Sequence, residues 1–298
     1  MAHTSTRFPV EPAVPGGRPH GVEARALVYD GELQPSLLVD KLPTLIRSRP
    51  PAGLGSARVS VVIPTFNEAL NLPHIMPRIP NWVHEVLLVD GHSSDDTVAV
   101  ARALWPSVRI ILQDGRGKGN ALACGFGAAE GDIIVMLDAD GSTDPAEIPQ
   151  FVQPLLDGAD FAKGSRCVDG GGSTDLSALR SVGNSVLTSL FNLFYGRHYS
   201  DLCYGYNAFW SRCLQDMRVD CDGFEVETLI HVRIARAGLN VEEVASMEHE
   251  RLHGESNLRV FRDGWRVLRT MVFGRFAFGP RAETARWLPP IFQELVRK

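Results

Sequence analysis

A short apolar run that ends at two carboxylates constrains this chain more than any other feature. The run, residues 133–137, is bounded by glycines and is followed at once by Asp138 and Asp140, so it predicts a buried strand. If the strand persists, both carboxylates lie on one side, where they repel each other unless a cation lies between them. Mg²⁺ is commonly held by one or two carboxylates and substrate phosphates. The pair therefore predicts a metal site, the alternative being turn residues that cap a helix near Pro145.

Strands and helices alternate along the central part of the chain. The predicted strands are 59–63, 85–90, 108–112, 133–137 and 160–165. Helical segments of 10 to 15 residues between strands favour an α/β fold with a mainly parallel central sheet flanked by helices. Three strands end in polar tips, at 64–68, at Asp90 and at 138–140. The tips of parallel strands share one edge, which predicts a single cleft.

Composition excludes several classes of function. The chain has 298 residues and a net charge of -5, which argues against nucleic acid as a partner. Its five cysteines form no C-x-x-C pair, so neither a zinc site nor a disulfide framework is indicated. No apolar leader and no run of about 20 apolar residues is present, which predicts a cytoplasmic protein without a membrane span.

Three regions are predicted from composition. Residues 1–57 hold eight of the nineteen prolines and read as a partly disordered extension. Residues 58–257 form the folded domain, in which 168–177 is a mobile Gly/Ser-rich loop and 178–194 is an apolar helix expected to pack on the sheet. Residues 258–298 form a basic amphipathic helix and tail, with seven arginines against two acids between positions 259 and 286. Such a helix either lies on the inner face of an anionic membrane or packs on the domain.

Two common nucleotide-binding classes do not fit. A dinucleotide fold places G-x-G-x-x-G after the first strand, where this chain has Pro-Thr-Phe-Asn-Glu at 64–68. The loop at 115–119, Gly-Arg-Gly-Lys-Gly, lacks the spacing of a P-loop. Phosphate binding is therefore left to a metal and to cationic side chains.

Several motifs then occur in a recognisable order: VSVVIPTFNE, LLVD, GKGNA, DADGS, GSR and GFEVE. Together they resemble the family-2 glycosyltransferases with a GT-A nucleotide-diphospho-sugar transferase fold, and most of all the dolichol-phosphate mannosyltransferase-like subgroup, over about residues 58–272. The resemblance implies inverting transfer of a hexose from a nucleoside-diphosphate sugar, of the GDP-mannose or UDP-glucose type. It also implies Mg²⁺ or Mn²⁺ as cofactor and a polyprenyl phosphate at the membrane surface as acceptor.

The same resemblance implies roles for individual residues. The donor nucleotide would contact Pro64, Asn67, Glu68, Asp90, Lys118, Asp138 and Ala139. The metal would lie on Asp138 and Asp140, and Arg166 would contact phosphate. Two positions depart from the family: Asp-Gly-His-Ser at 90–93 replaces the usual acidic motif, and Ser142 stands where a glutamine often binds metal.

Other candidates come with alternatives. Asp140 is a candidate catalytic residue, and Glu227 and Asp201 are candidate bases; Asp201 is equally well a turn acid. Because residues two apart on a helix point about 200° apart, only one of Glu225 and Glu227 can face the cleft. Lys118 and Arg116 bind phosphate or are solvated loop residues, and Glu68 and Asn67 double as helix-start residues. Arg251 belongs to a loop that would close over the donor diphosphate, and His253 is a metal ligand or an exposed histidine.

Three other functions stay open at this point. One is a glycosyltransferase that uses a soluble hydroxyl acceptor. The others are a sugar-nucleotide pyrophosphorylase, whose Gly-rich, Arg-containing loop is missing here, and a non-catalytic sugar-nucleotide-binding protein. The sequence leaves the oligomeric state open.

Overall fold

The computed structural model describes residues 48–254 and 260–276. Most of the predicted proline-rich extension and the end of the basic tail lie outside these residues. The predicted region boundaries stay predictions. The described part of the basic region is a helix, Val260–Phe276, that packs against the domain.

Seven strands of the described chain form one sheet, in the order β3-β2-β1-β4-β7-β5-β8. Their bounds are β1 Val59–Thr65, β2 Glu85–Asp90, β3 Arg109–Leu112, β4 Ile133–Met136, β5 Phe161–Ser165, β7 Asn207–Trp210 and β8 Val241–Ala245. A small second sheet pairs β6, Gly172–Ser173, with β9, Met247–Glu248.

The sheet is mainly parallel, as predicted. β1 lies parallel between β2 and β4, and β3 extends the sheet beside β2. β7 runs antiparallel between β4 and β5, while β5 and β8 are parallel. Every residue of β2 and β4 is buried, because helices cover both faces of the sheet.

Eight α-helices are described. They are α1 Leu72–Ile75, α2 Thr97–Leu104, α3 Gly117–Ala128, α4 Ile148–Leu156, α5 Ala178–Tyr195, α6 Leu214–Met217, α7 Val226–Ala237 and α8 Val260–Phe276. One face of the sheet is covered by α1, α2 and α4 and the other by α3 and α7. A third apolar cluster joins α5, α7 and α8.

Helix α2 begins at Thr97, whose amide and hydroxyl donate to the carboxylate of Asp95 at 3.1 and 2.5 Å. One local prediction needs correction. The segment 168–177 is not wholly a loop, since Gly172 and Ser173 form a short strand. The local sequence pattern could not predict this strand, because it forms by pairing with the distant strand β9.

Helix α5 does not bury its apolar stripe against the sheet, contrary to prediction. Four residues of the stripe are more than half exposed: Leu179, Val182, Val186 and Leu193. The opposite side of the helix packs on the protein and buries Asn184, Thr188 and Phe191. Periodicity located the stripe correctly but carried no information about which side faces the core.

Beside the third apolar cluster, His231 of α7 is fully buried between α5 and the sheet. The rings of Phe161, Phe191 and Tyr199 surround it with centroids 5.6 to 6.5 Å away. Within the described chain neither ring nitrogen has a hydrogen-bond partner. Burial, with the positive charge of Lys163, lowers the pKa of His231 well below its usual value.

We expect His231→Met to stabilise the protein by about 1–3 kcal/mol, because it removes an unpartnered buried polar group and places a polarizable thioether among aromatic rings. The gain should widen on acidification. Below the pKa of histidine in the unfolded chain, about 6.5, His231 binds a proton in the unfolded wild type but not in the folded one. The wild type therefore becomes less stable as the pH decreases. Urea unfolding at pH 8 and pH 5.5 measures both effects. His198→Met, at an exposed position, should change little, and equal acid sensitivity of His231→Met and wild type would contradict the argument.

No helix among the residues that the structure describes is both long and apolar enough to cross a bilayer.

Candidate active site

The predicted cleft lies at the carboxyl ends of the central strands. The tips of β1, β2 and β4 meet there, because the three strands are parallel neighbours. Of the candidates named from sequence, ten line the cleft: Pro64, Glu68, Arg116, Lys118, Asp138, Ala139, Asp140, Arg166, Glu227 and Arg251. Ser142 lines it as well.

Asp138 meets a lysine and a second carboxylate. The Lys118 ammonium lies 2.7 Å from Asp138 Oδ1 and 2.8 Å from Glu227 Oε1. Lys118 comes from the first turn of α3, and Glu227 from the first turn of α7. Gly205 permits the arrangement, since a Cβ there would lie 2.7 Å from Glu227 Oε1 and 3.0 Å from Asp138 Oδ2.

Asp140 is paired with Arg251. The Arg251 guanidinium lies 2.8 Å from Asp140 Oδ2 and 3.5 Å from Glu68 Oε1. The segment that carries Arg251 is tied to the turn of Asp140 and Ser142, because the Leu252 amide donates to the Asp140 carbonyl at 3.2 Å and the His249 amide to the Ser142 carbonyl at 2.8 Å. Segment 249–254 therefore covers the acidic turn.

The cleft centre carries an excess of negative charge. Four carboxylates lie there: Glu68, Asp138, Asp140 and Glu227. They face two cationic side chains, Lys118 and Arg251. Burial raises the pKa of Asp138, and the charges of Asp140 and Glu227 add to this while Lys118 opposes it. Burial alone would lower the pKa of Lys118, but Asp138 and Glu227 outweigh it and raise that pKa. Two negative charges are left uncompensated, and the two positive charges of a divalent cation would balance them.

Arg166 is held by the protein on every side. Its Nε and Nη2 donate to the Asp201 carboxylate at 2.7 and 2.9 Å, and Nη2 also donates to the Cys203 carbonyl at 3.1 Å. Its Nη1 donates to Glu248 at 3.0 and 3.1 Å. A phosphate would reach this guanidinium by replacing Glu248, because Glu248 is the carboxylate partner that lines the cleft.

Asp201 does not fit the prediction of a base at the acceptor. Its side chain is fully buried and outside the cleft lining. Both oxygens are engaged, with the Arg166 amide and guanidinium and with Asn184 Nδ2. Burial would raise the pKa of Asp201, but the hydrogen bonds and charge of Arg166 hold it below its usual value. The structure assigns Asp201 to positioning Arg166.

Four other candidates lie outside the cleft lining. Asp90 is buried and accepts from the Ser93 amide at 3.1 Å. Asn67, in the left-handed region at φ 58°, accepts from the Ser94 amide at 2.8 Å and so ties two loops together. Glu225 precedes α7 and His253 faces the His74 ring at 5.9 Å. Of the two glutamates, Glu227 is therefore the one in the cleft.

Sequence reasoning missed several cleft residues. Phe66, His92 and Gln113 line its β1–β2 end, and Glu248 lines the side near Arg166. The His92 ring lies 3.1 Å from the Gln113 carbonyl through Nε2. His92 belongs to the segment that departs from the family motif, which was the available signal for it. Glu248 had no local signal, since only strand pairing brings β9 beside the cleft.

In the described ranges, no three His, Cys, Asp or Glu side chains converge to form a complete protein ligand set for a metal ion. Asp138 and Asp140 fit an ion such as Mg²⁺, which takes one or two carboxylates and fills its other positions with phosphate oxygens and water. The charge excess of the cleft supports that fit.

Comparison with known proteins gives a consistent result. Residues 60–217 match the family model described as Glycosyl transferase family 2. Glycosyltransferase AglJ of Haloferax volcanii is 30% identical over 212 residues, which is 69% of this chain and 68% of AglJ. The undecaprenyl-phosphate mannosyltransferase of Micrococcus luteus is 32% identical over 67% of this chain and 87% of its own length.

The dolichol-phosphate mannosyltransferase of Pyrococcus furiosus is 30% identical over 68% of this chain, and this chain covers 59% of that enzyme. Among solved structures, glucosyl-3-phosphoglycerate synthase from Mycobacterium tuberculosis, crystallised with Mn²⁺, UDP and phosphoglyceric acid, superposes with a TM-score of 0.60. Its sequence is 22% identical, with coverage of 79% of this chain and 86% of that one. This likeness concerns the fold, and it confirms the predicted GT-A architecture.

Proposed function

This chain belongs to glycosyltransferase family 2, and from that membership and its acidic cleft we propose that it moves a hexose from a nucleoside-diphosphate sugar to a polyprenyl phosphate. The reaction is metal-dependent and inverts the anomeric carbon. Asp138, Ala139, Pro64 and Glu68 contact the donor nucleotide, and its base lies at the end of the cleft that His92 lines. We place the protein in the cytoplasm, peripheral to the inner face of the membrane.

One observation carries this proposal. Asp138 and Asp140 lie at the centre of the cleft, where four carboxylates face two cationic side chains. Carboxylates in this number repel one another: burial raises the pKa of Asp138 first, and the charges of Asp140 and Glu227 raise it further. A divalent cation relieves that repulsion, and a site that needs a cation in order to be balanced suits a donor carrying a diphosphate.

Asp138 and Asp140 would hold Mg²⁺ or Mn²⁺, which would supply Lewis-acid stabilisation of the leaving diphosphate. Lys118 adds a positive charge beside Asp138. Because the Lys118 ammonium is largely buried, it stabilises negative charge that develops nearby more strongly than a solvated lysine would. Arg251 is the second cation at the cleft centre, where it bridges Asp140 and Glu68. Transfer of Arg251 from these carboxylates to the donor diphosphate would bring segment 249–254 over the bound sugar nucleotide.

The acceptor determines whether a base is needed. A polyprenyl phosphate is an anion and attacks without losing a proton, and two relatives bear the names of enzymes that act on such lipids. A hydroxyl acceptor would need a carboxylate within hydrogen-bond reach. Glu227 is the carboxylate in place for that alternative, although Lys118 occupies its Oε1.

Release of nucleoside diphosphate from a panel of sugar nucleotides, with Mg²⁺ or Mn²⁺, tests the proposal. We expect one donor to be used, and only when a polyprenyl phosphate is present together with the metal. Release with soluble hydroxyl acceptors alone would favour the alternative acceptor. Formation of a nucleoside triphosphate from pyrophosphate would indicate a pyrophosphorylase, and a panel in which no donor is used would overturn the proposed reaction.

A further inference from the structure

Helix α5 carries its apolar stripe on the side that faces away from the protein. The side chains of Leu179, Val182, Val186 and Leu193 are 53–76% exposed. At 100° per residue these four, with Leu190, fall within a sector about 80° wide. Arg180 is the single charged residue of this 18-residue helix, and it lies outside that sector. A sector of this size is an apolar surface without a partner in the described chain.

The inner side of α5 explains its orientation. Asn184 donates to buried Asp201 and accepts from the Cys203 amide, and the Thr188 hydroxyl accepts from the Leu202 amide. Phe191 completes this side; it belongs to the third apolar cluster and contacts the His231 ring. These polar contacts anchor α5 beneath the cleft, so the stripe cannot turn inward without breaking them.

Helix α8 presents a matching outer side. It packs on α5, where the Tyr195 hydroxyl donates to the Met271 carbonyl at 2.7 Å. Trp265 of α8 is 56% exposed, and three exposed arginines flank it: Arg262, Arg266 and Arg269. Asp263 offsets part of this charge. An aromatic side chain among arginines is typical of a helix that lies in the interface of an anionic membrane.

The cleft opens between these two helices. Leu179, Val186, Trp265 and Leu268 line the same cavity as Asp138 and Lys118. We propose that the outer sides of α5 and α8, called here the α5–α8 surface, dock this protein on an anionic lipid bilayer. The docking itself is inferred from the exposed residues of α5 and α8. That the cleft then receives its acceptor from the membrane rests on the proposed function.

A lipid surface fits better than a second copy of the chain. In a two-fold dimer built on the α5–α8 surface, each partner would present the same arginines and the same apolar stripe. Arg262 and Arg269 would then be desolvated near like charges, which is unfavourable. An anionic bilayer accepts the stripe in its apolar layer and pairs its headgroups with the arginines.

Sedimentation of the full chain with phosphatidylglycerol–phosphatidylcholine vesicles tests this surface, without donor or acceptor. We expect binding at low salt, weaker binding at high salt because charges are screened, and weak binding to phosphatidylcholine alone. Val182→Glu and Leu193→Glu should each lower the partition coefficient about tenfold, since each removes one inserted apolar side chain. Leu112→Glu, at a 60% exposed position on β3, is the matched control and should bind as wild type does.

Val182 and Leu193 lie outside the cleft lining, so nucleotide release with a detergent-solubilised acceptor should be unchanged in both variants. Wild-type binding by Val182→Glu, or no binding by the wild type, would overturn the docking surface. A wild-type dimer that Val182→Glu converts to a monomer would identify a second copy as the occupant and would also overturn it. Vesicle binding does not depend on turnover. It therefore tests the docking surface even if no sugar nucleotide is used as a donor.

Discussion

Asp140→Asn is expected to lower hexose transfer by about 10²–10³-fold, the effect typical of losing one electrostatic contact to a transition state. Asp140 contributes one of the two carboxylates proposed to hold the metal, and an amide oxygen is a weaker ligand for a hard cation. Folding should be preserved, because Asp140 is partly exposed and its removal relieves repulsion on Asp138. Loss of activity would therefore reflect the site rather than the fold.

Two measurements separate these effects. The first is initial rate of nucleoside-diphosphate release with the donor that the panel identifies. The second is the shift in Tm caused by Mn²⁺, which we expect in wild type and expect to be lost in Asp140→Asn. Asp216→Asn removes the same charge from an exposed position on α6 and should behave as wild type in both. Full activity in Asp140→Asn would refute the metal site and the proposed reaction.

Asp201→Asn is expected to destabilise the protein by about 3–5 kcal/mol, the cost of breaking a buried ion pair. Four donors converge on the two oxygens of Asp201: the Arg166 amide, Arg166 Nε and Nη2, and Asn184 Nδ2. An asparagine in either orientation places an NH₂ group against at least one of these donors. Arg166 would also lose the carboxylate that balances its charge within the fold.

The destabilisation should depend on pH in a defined direction. Arg166 holds the pKa of Asp201 below its usual value, so the pair stabilises the fold above the unfolded pKa, about 3.9. That stability is lost as pH falls through the folded pKa. The gap between Asp201→Asn and wild type should thus be largest at neutral pH and narrow in acid.

Urea unfolding at pH 7 measures the effect. The exposed pair of Arg233 and Asp220, also joined by two hydrogen bonds of 2.8 Å, provides the control. Asp220→Asn should cost no more than about 1 kcal/mol because solvent screens that pair. An Asp201→Asn variant with wild-type stability and strongly reduced transfer would instead support the original assignment of Asp201 as a base.

The sequence by itself determined the architecture and the position of the acidic centre. Alternating apolar runs and helical segments require crossover connections, and parallel strands bring their carboxyl ends to one edge. The Asp138–Asp140 pair could therefore be placed beside the tips of β1 and β2 without coordinates. The family resemblance supplied Lys118 as a candidate, and helix geometry predicted that only one of Glu225 and Glu227 can face the cleft.

Only the tertiary structure decided which side chains meet. Lys118 and Glu227 are 109 residues apart, and Arg166 and Glu248 are 82 apart. No local pattern records such pairings, because they depend on how whole elements pack. The burial of Asp201 and the outward stripe of α5 have the same origin: periodicity defines the faces of a helix, whereas its neighbours decide which face is covered.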